Sequence, residues 1–320
     1  MALLQVQHEC GYAIKVMHSS NLLHCHDIQH QYNTYFFLLH THLCPKNTTL
    51  LLLQLEAAKD IQTSFYSKMF PDSAYAIFGG TAGTGSLFLK QYLQATSTGH
   101  INALARSPGK LVELKQSYPK KLSIVKGDIR DLTTVKQTLI HEGRLVDTVI
   151  SSIGMVIDFS LKKGFATPDS TICHEGTVSI LKALSELEAD PAILPPSSGQ
   201  RTKLLVLSTT GISDYGRDIP YAMIPLYHYL LATPHRDKKN MEKVLEKSDR
   251  EWIAIRPSFL GNYEAKGMGS VRWSVEGEGE VAVGYVINRE DVAGWILEKC
   301  VLDGEKNWRR WGGKKVTLTY

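Results

Sequence analysis

Between Ala74 and Leu93 the chain reads AYAIFGGTAGTGSLFLKQYL. A short apolar run, Ala74 to Phe78, leads into four glycines, Gly79, Gly80, Gly83 and Gly85. Apolar residues then follow at Leu87, Phe88, Tyr92 and Leu93. The first stretch has the length of a buried strand and the last the spacing of one helix face. The turn between them needs glycine, because the backbone must bend sharply and approach a ligand with no side chain in the way. The helix then offers its unpaired first amides and its positive dipole end to an anion such as a pyrophosphate. A lone glycine fingerprint is weak, but further strand-helix pairs come after it at regular spacing, so a dinucleotide-binding first unit is expected. A glycine-rich turn in an unrelated α/β domain is the alternative.

The chain has 320 residues, room for one large domain or two small ones. Hydrophobic and charged contents of 43% and 21% are those of an ordinary globular protein. A net charge of +4 with no long basic block gives no case for nucleic acid. Five cysteines, an odd number, do not form a disulfide framework, and a reducing, cytoplasmic setting is expected. No apolar run reaches the roughly 20 residues of a membrane span, and no secretory signal is evident.

Residues 1 to 70 differ from the rest. Seven histidines (His8, His18, His24, His26, His30, His40 and His42) and three cysteines (Cys10, Cys25 and Cys44) fall here. Their spacing matches no paired ligand pattern, so no metal site is expected. A membrane-surface helix over Tyr35 to Leu43 is a second reading. The favoured one is an N-terminal extension, poorly ordered or foreign to the domain, because Met69 opens a stretch that runs straight into the first strand.

The fold expected for residues 71–320 is α/β: a Rossmann-like doubly wound parallel sheet with a small C-terminal substrate-binding part. His100 to Ala105 reads as the second strand, with Arg106 at its exit. An acidic residue there would bind a free ribose 2′-hydroxyl, whereas arginine accommodates a 2′-phosphate, so NADP (NADPH) is expected over NAD. Leu122 to Val125 is the third strand; Asp128 beyond it is expected to meet the adenine, and Asp131 to cap the helix over Leu132 to Ile140. Val146 to Ser151 is the fourth strand, its exit (Ser151, Ser152, Gly154) passing beside the nicotinamide half. Thr167 to Leu187 reads as a long helix, in which His174 is a packing residue rather than a catalyst. Leu204 to Leu207 is the fifth strand, and Ser208 to Thr210 at its end are placed for substrate. A tyrosine-rich segment comes next, then an amphipathic helix over Pro234 to Ser248. Trp252 to Ile255 is the sixth strand. Gly261 to Glu280 reads as a glycine-rich substrate loop, Val281 to Ile287 as a strand, and the helix after it as capped by Asn288. Lys315 to Thr319 closes with a strand.

Several of these motifs together resemble the NmrA-like, atypical short-chain dehydrogenase/reductase family over residues 73 to 302. They are FGGTAGTG (Phe78 to Gly85), LARSP (Leu104 to Pro108), GDIRD (Gly127 to Asp131), LSTTG (Leu207 to Gly211), IAIRPSFL (Ile253 to Leu260) and INREDVA (Ile287 to Ala293). Asp237 to Leu245 adds D-x4-E-x2-L. Within that family the chain looks most like the fungal averufin oxidase A type, which serves polyketide pathways. Two departures stand out. Ala82 replaces the loop's usual middle glycine, and its methyl is expected to crowd the pyrophosphate slightly. The Tyr-x-x-x-Lys pair of the wider group, in which lysine lowers the tyrosine pKa for proton transfer, is missing: Pro225 stands four residues after Tyr221.

Gly79, Thr81, Ala82, Gly83, Thr84 and Gly85 are the residues expected at the cofactor's diphosphate. The expected function is an NADP-dependent oxidoreductase acting on a small aromatic or polyketide-like carbonyl or alcohol, with substrate elements at about 211–235 and 257–285. Ser208 would hold the carbonyl oxygen and Tyr221 would give the proton, with Lys239 as a further candidate from Asp237 to Lys239. Two alternatives stay open: a cofactor-sensing regulator without turnover, and a non-redox isomerase or dehydratase. The oligomeric state is open, with a homodimer as one expectation.

Overall fold

The computed structural model describes residues 73–320, apart from Ser97, residues 156–157, 161–163 and 167–168, and Leu226, His228 and Leu230. The histidine- and cysteine-rich extension, with the metal-site and surface-helix questions it raises, lies outside the described residues.

The glycine turn joins strand β1 (Ala74–Phe78) to helix α1 (Gly83–Ala95). Alternate β1 side chains serve opposite faces, as the pleat requires: Tyr75 and Ile77 enter one core, Ala74, Ala76 and Phe78 the other. A strand buried on both sides reads as a continuous apolar run rather than an alternating one. The chain continues through β2 (His100–Ala105), α2 (Val112–Ser117), β3 (Leu122–Lys126), α3 (Leu132–Thr138) and β4 (Thr148–Ser151). Next come α4 (Ile172–Glu188), β5 (Lys203–Leu207), α5 (Ala232–Glu246) and β6 (Trp252–Pro257). Strand β7 (Arg272–Val275), α6 (Arg289–Ile296), α7 (Gly304–Trp311) and β8 (Lys314–Thr319) complete it.

These strands form one eight-stranded sheet in the order β7-β8-β6-β5-β4-β1-β2-β3. The run 3-2-1-4-5-6 is that of the dinucleotide-binding folds, and the order reverses between β1 and β4. Every pairing is parallel except β7 on β8. Helices α1, α6 and α7 cover one face through Phe88, Leu89, Trp295 and Trp311. Helices α3, α4 and α5 cover the other through Val135, Ile180, Leu184, Met241 and Leu245. Truncating one of these buried leucines to alanine costs about 2–5 kcal/mol.

Several elements depart from the expected bounds. Helix α4 starts at Ile172, where buried Asp237 on α5 accepts from the amides of Cys173 (2.8 Å) and His174 (2.9 Å) and caps it; the expected start, Thr167, lies outside the described residues. The stretch read as a glycine-rich loop, Gly261 to Glu280, contains β7, whose Arg-Trp-Ser-Val alternation is hidden by the glycines around it. The strand expected over Val281 to Ile287 is confined to Val286–Asn288, which pairs in parallel with Phe259–Gly261. Asp131 and Asn288 cap as expected, accepting from Thr133 N (3.0 Å) and Glu290 N (2.6 Å).

Candidate functional site

At the carboxyl edge of the sheet the glycines have distinct jobs. Gly79 sits at φ 84°, and a Cβ there would lie 2.6 Å from Ser152 O, so the exits of β1 and β4 run against each other. A Cβ on Gly85 would lie 2.4 Å from Gly79 O, so only glycine lets α1 begin this close to the strand. Ala82 is extended (φ −158°, ψ 167°), a conformation alanine adopts freely, and its side chain is exposed. The departure at this position therefore carries no backbone strain.

The protein leaves the start of the next helix open. Helix α1 has no side-chain cap and no acidic residue in its first turn, unlike α3, which is capped by Asp131, and α6, which has both. Thr84 in that turn is only 4% exposed, and its Oγ1 has no hydrogen-bond partner among the described residues. A buried orphan hydroxyl beside free amides is a place where an anion's oxygens would complete the bonding. These residues fit a nicotinamide dinucleotide's diphosphate. Thr81 is half-buried, Ser151 is buried, Ser152 N donates to Phe78 O (2.8 Å), and exposed Gly154 has open space where a Cβ would be.

At the exits of β2 and β3 two arginines converge on one carboxylate. Arg106, 65% exposed, lies 3.7 Å from Asp169, and Arg130 lies 3.2 Å from the same Asp169. Arg130 also donates from Nε to Glu175 Oε2 (2.6 Å), whose other oxygen accepts from Thr171 Oγ1 (2.6 Å). Hydrogen bonds from Thr171 and then Arg130 hold the Glu175 carboxyl below its usual range. Asp128 accepts from Arg130 N (2.9 Å), so its carboxylate braces the β3 exit. Sequence reasoning misses both Arg130 and Asp169. Arg130 lies in GDIRD, three residues past the glycine, where nothing local marks it.

The β5 exit is the opposite case. Buried Ser208 donates from Oγ to Glu242 Oε1 (2.5 Å). Arg256 grips Glu242 with two nitrogens, at 2.9 Å and 2.6 Å, and reaches Glu276 at 2.5 Å. Lys315 joins Glu276 (3.0 Å) to Glu246 (2.6 Å), and Ser213 donates to Glu276 (2.7 Å). The Ser208 proton is thus engaged by Glu242.

The lysine that meets the strand ends is Lys238. Its Nζ donates to Ile153 O (2.7 Å) beyond β4 and to Leu207 O (2.5 Å) at the end of β5. Lys239 turns outward to Asp214 (2.5 Å). The helix period carries this distinction, since Lys238, Met241, Glu242 and Leu245 share one face of α5 and Lys239 does not. Likewise Tyr221 is 74% exposed with its ring under the Arg217 guanidinium (4.0 Å), and no hydrogen bond joins it to Ser208. The tyrosine beside the β5 exit is buried Tyr227, whose OH lies 3.4 Å from Thr210 Oγ1 and whose ring meets His235 edge-on at 4.9 Å. Burial, ahead of the opposing Thr210 bond, raises the Tyr227 phenol above its usual pKa. Tyr221 instead lines an open groove with Arg217, Arg272, Tyr285 and Tyr320.

Among the described residues no helix is long and apolar enough to cross a membrane. Comparison with known proteins agrees with this geometry. Residues 79–301 match the family described as NAD(P)H-binding. The chain is 35% identical over 266 residues to the reductase pytE of Aspergillus terreus, covering 77% of this chain and 97% of that one. It is 34% identical over 283 residues to the oxidase pynE of Aspergillus niger, covering 76% and 97%. A wide-type short-chain dehydrogenase/reductase from Veillonella parvula, solved in complex with NADP, superposes with a TM-score of 0.56 at 14% identity, covering 78% of this chain and 94% of that one. That likeness speaks for the fold. With an open glycine turn at the switch point of a parallel sheet, and with these relatives, the chain belongs to the NAD(P)H-binding family and is an oxidoreductase with a Rossmann-like, short-chain dehydrogenase/reductase fold.

Proposed function

We propose that the protein uses NADP(H) to interconvert a small aromatic or polyketide-like carbonyl and its alcohol, in fungal secondary metabolism of the averufin oxidase A type. The observation that carries the cofactor choice is the pair of guanidiniums, Arg106 and Arg130, gathered on Asp169. Two such forks suit a 2′-phosphate, and the residues that directly follow β2, Arg106 and Ser107, include no acid to receive a bare ribose hydroxyl. Tyrosines in the groove beside Arg217 and Arg272 support a planar, aromatic substrate.

When bound, the dinucleotide supplies or accepts the hydride. The chain's own share is to hold the reactants and to manage one proton. Lys238 Nζ carries three donors, of which two are engaged by Ile153 O and Leu207 O. The third is available to hold an oxygen at the β4–β5 exits. Tyr227 stays protonated at neutral pH and is the buried phenol beside the β5 exit, so it is the proton donor of this reading. Ser208 serves by fixing the exit through Glu242 rather than by touching substrate. Two buried free thiols, Cys173 and Cys300, support a reducing, cytoplasmic setting.

The test is turnover. The full chain is mixed with NADPH and a panel of quinones and aromatic ketones, and loss of the reduced cofactor's absorbance is followed. Consumption of NADPH with at least one such carbonyl is expected, several-fold faster than with NADH. Tight binding with no turnover across the panel would contradict the reading.

A further inference from the structure

Helix α6 packs against helix α1, and the side chain of its first residue reaches back to the glycine turn. Gln91 on α1 donates to Glu290 O on α6 (3.2 Å), and a Cβ built on Gly294 of α6 would lie 3.7 Å from Gln91 Oε1. This packing sets the first residue of α6, Arg289, opposite the first residue of α1, Gly83. A Cβ on Gly83 would find one neighbour within 4 Å: the Arg289 side chain, with Nε at 3.9 Å and Cδ at 4.0 Å. The guanidinium therefore stands over the open side of the turn.

Its charge is also unanswered. Arg289 Nη1 donates to Asn262 Oδ1 (2.6 Å), a neutral partner that fixes its direction. Among the described residues no carboxylate lies within ion-pair distance of it, although two acids, Glu290 and Asp291, follow it directly. Asp291 is committed elsewhere, accepting from Lys266 N (2.8 Å) and Gly267 N (3.1 Å). Burial without a counter-charge lowers the guanidinium's pKa. A half-buried arginine held on an amide oxygen, next to an uncapped helix start and the orphaned Thr84 hydroxyl, is a cation that lacks its anion.

We propose that Arg289 is a direct ligand of the cofactor's diphosphate, closing the glycine turn from the α6 side. The glycine loop thus supplies main-chain amides from one wall and α6 supplies a charged fork from the other. Because every nicotinamide dinucleotide carries the diphosphate, this contact is blind to the 2′-phosphate.

That blindness makes the test. Full-length Arg289→Gln and Arg289→Met are titrated with NADPH, NADH and adenosine 2′-monophosphate, which has no phosphate on its 5′ side, and binding is read by calorimetry. Loss of one charge-assisted contact is expected to weaken NADPH and NADH by the same factor, about 10- to 100-fold, while the 2′-monophosphate changes by less than about 2-fold. Arg106→Glu, run beside them, is expected to weaken NADPH and the 2′-monophosphate and to spare NADH. Melting of the ligand-free variants checks the fold, and whichever of Gln and Met melts like the parent decides the matter. Parental affinity for NADPH in that variant, or an equal loss for the 2′-monophosphate, would overturn the proposal while leaving the family's cofactor intact. A parent chain that binds neither dinucleotide would overturn both.

Discussion

Two neighbouring parts of the sheet's carboxyl edge treat their polar groups in opposite ways. At the β1 exit, helix α1 is uncapped, Thr84 Oγ1 is buried without a partner among the described residues, and Arg289 faces the turn without a counter-ion there. At the β5 and β6 exits, Ser208, Glu242, Arg256, Glu276 and Lys315 satisfy one another in a continuous buried network. The first end is left for a ligand to finish. The second needs nothing from outside, and through Glu242 it anchors the helix that carries Lys238. Leaving a buried polar group unpaired costs about 1–3 kcal/mol, so an open end is a cost retained for binding, whereas a closed network is scaffold.

The largest way to break this contrast is at the closed end. Arg256→Met leaves Glu242 buried and uncompensated, and about 3–5 kcal/mol of stability should be lost in urea unfolding. Adding Glu242→Met should recover part of it, because the stranded charge goes too. The network also predicts a pH limb. Burial pushes the Glu276 carboxyl up, but the Ser213 bond and the Arg256 and Lys315 charges win and hold it below its usual range. A lowered folded pKa adds stability that is present above the unfolded value, about 4.3, and is lost as pH falls through the folded one. Stability that stays level as pH falls from 7 into the acid range would remove that contribution.

Next in size is Lys238→Met. With its third donor holding a reacting oxygen, its removal should cut turnover about 10²- to 10³-fold with little change in NADPH affinity. A fall in affinity of the same size would make it a binding residue only. Arg106→Glu should then weaken NADPH about 10- to 100-fold and leave NADH nearly unchanged. Equal loss for both would remove the case for the 2′-phosphate.

The smallest effect is the sharpest in sign. Thr84→Val removes the orphan hydroxyl at nearly constant shape. The ligand-free protein should become more stable by up to about 1 kcal/mol, while cofactor affinity drops several-fold. Loss of stability in the ligand-free state would mean that the hydroxyl is satisfied after all.

Much of the frame is legible in the sequence because it is local. The apolar run of β1 and the largely apolar HINALA of β2 mark both strands to the residue, and Asp131 and Asn288 announce their helices from one position away. The glycine turn is legible for the same reason. The chemistry at the β5 exit is not, because it depends on partners far along the chain. Ser208 looks free until Glu242, 34 residues on, accepts its hydroxyl's hydrogen bond. Tyr221 looks well placed by its separation from Ser208, yet the chain turns it outward and brings Tyr227 in. Lys238 over Lys239 can be chosen from the period of α5 alone. Arg289 cannot, since nothing in INREDVA says which helix start it faces.

The most direct single measurement is calorimetric titration of NADPH into the full chain, on a sample that melts cooperatively. Saturable heat at one site per chain is expected, with affinity reduced in Thr84→Val and again in Arg289→Gln. No saturable heat from a folded sample would contradict the claim that the β1 exit is built to be completed by a dinucleotide.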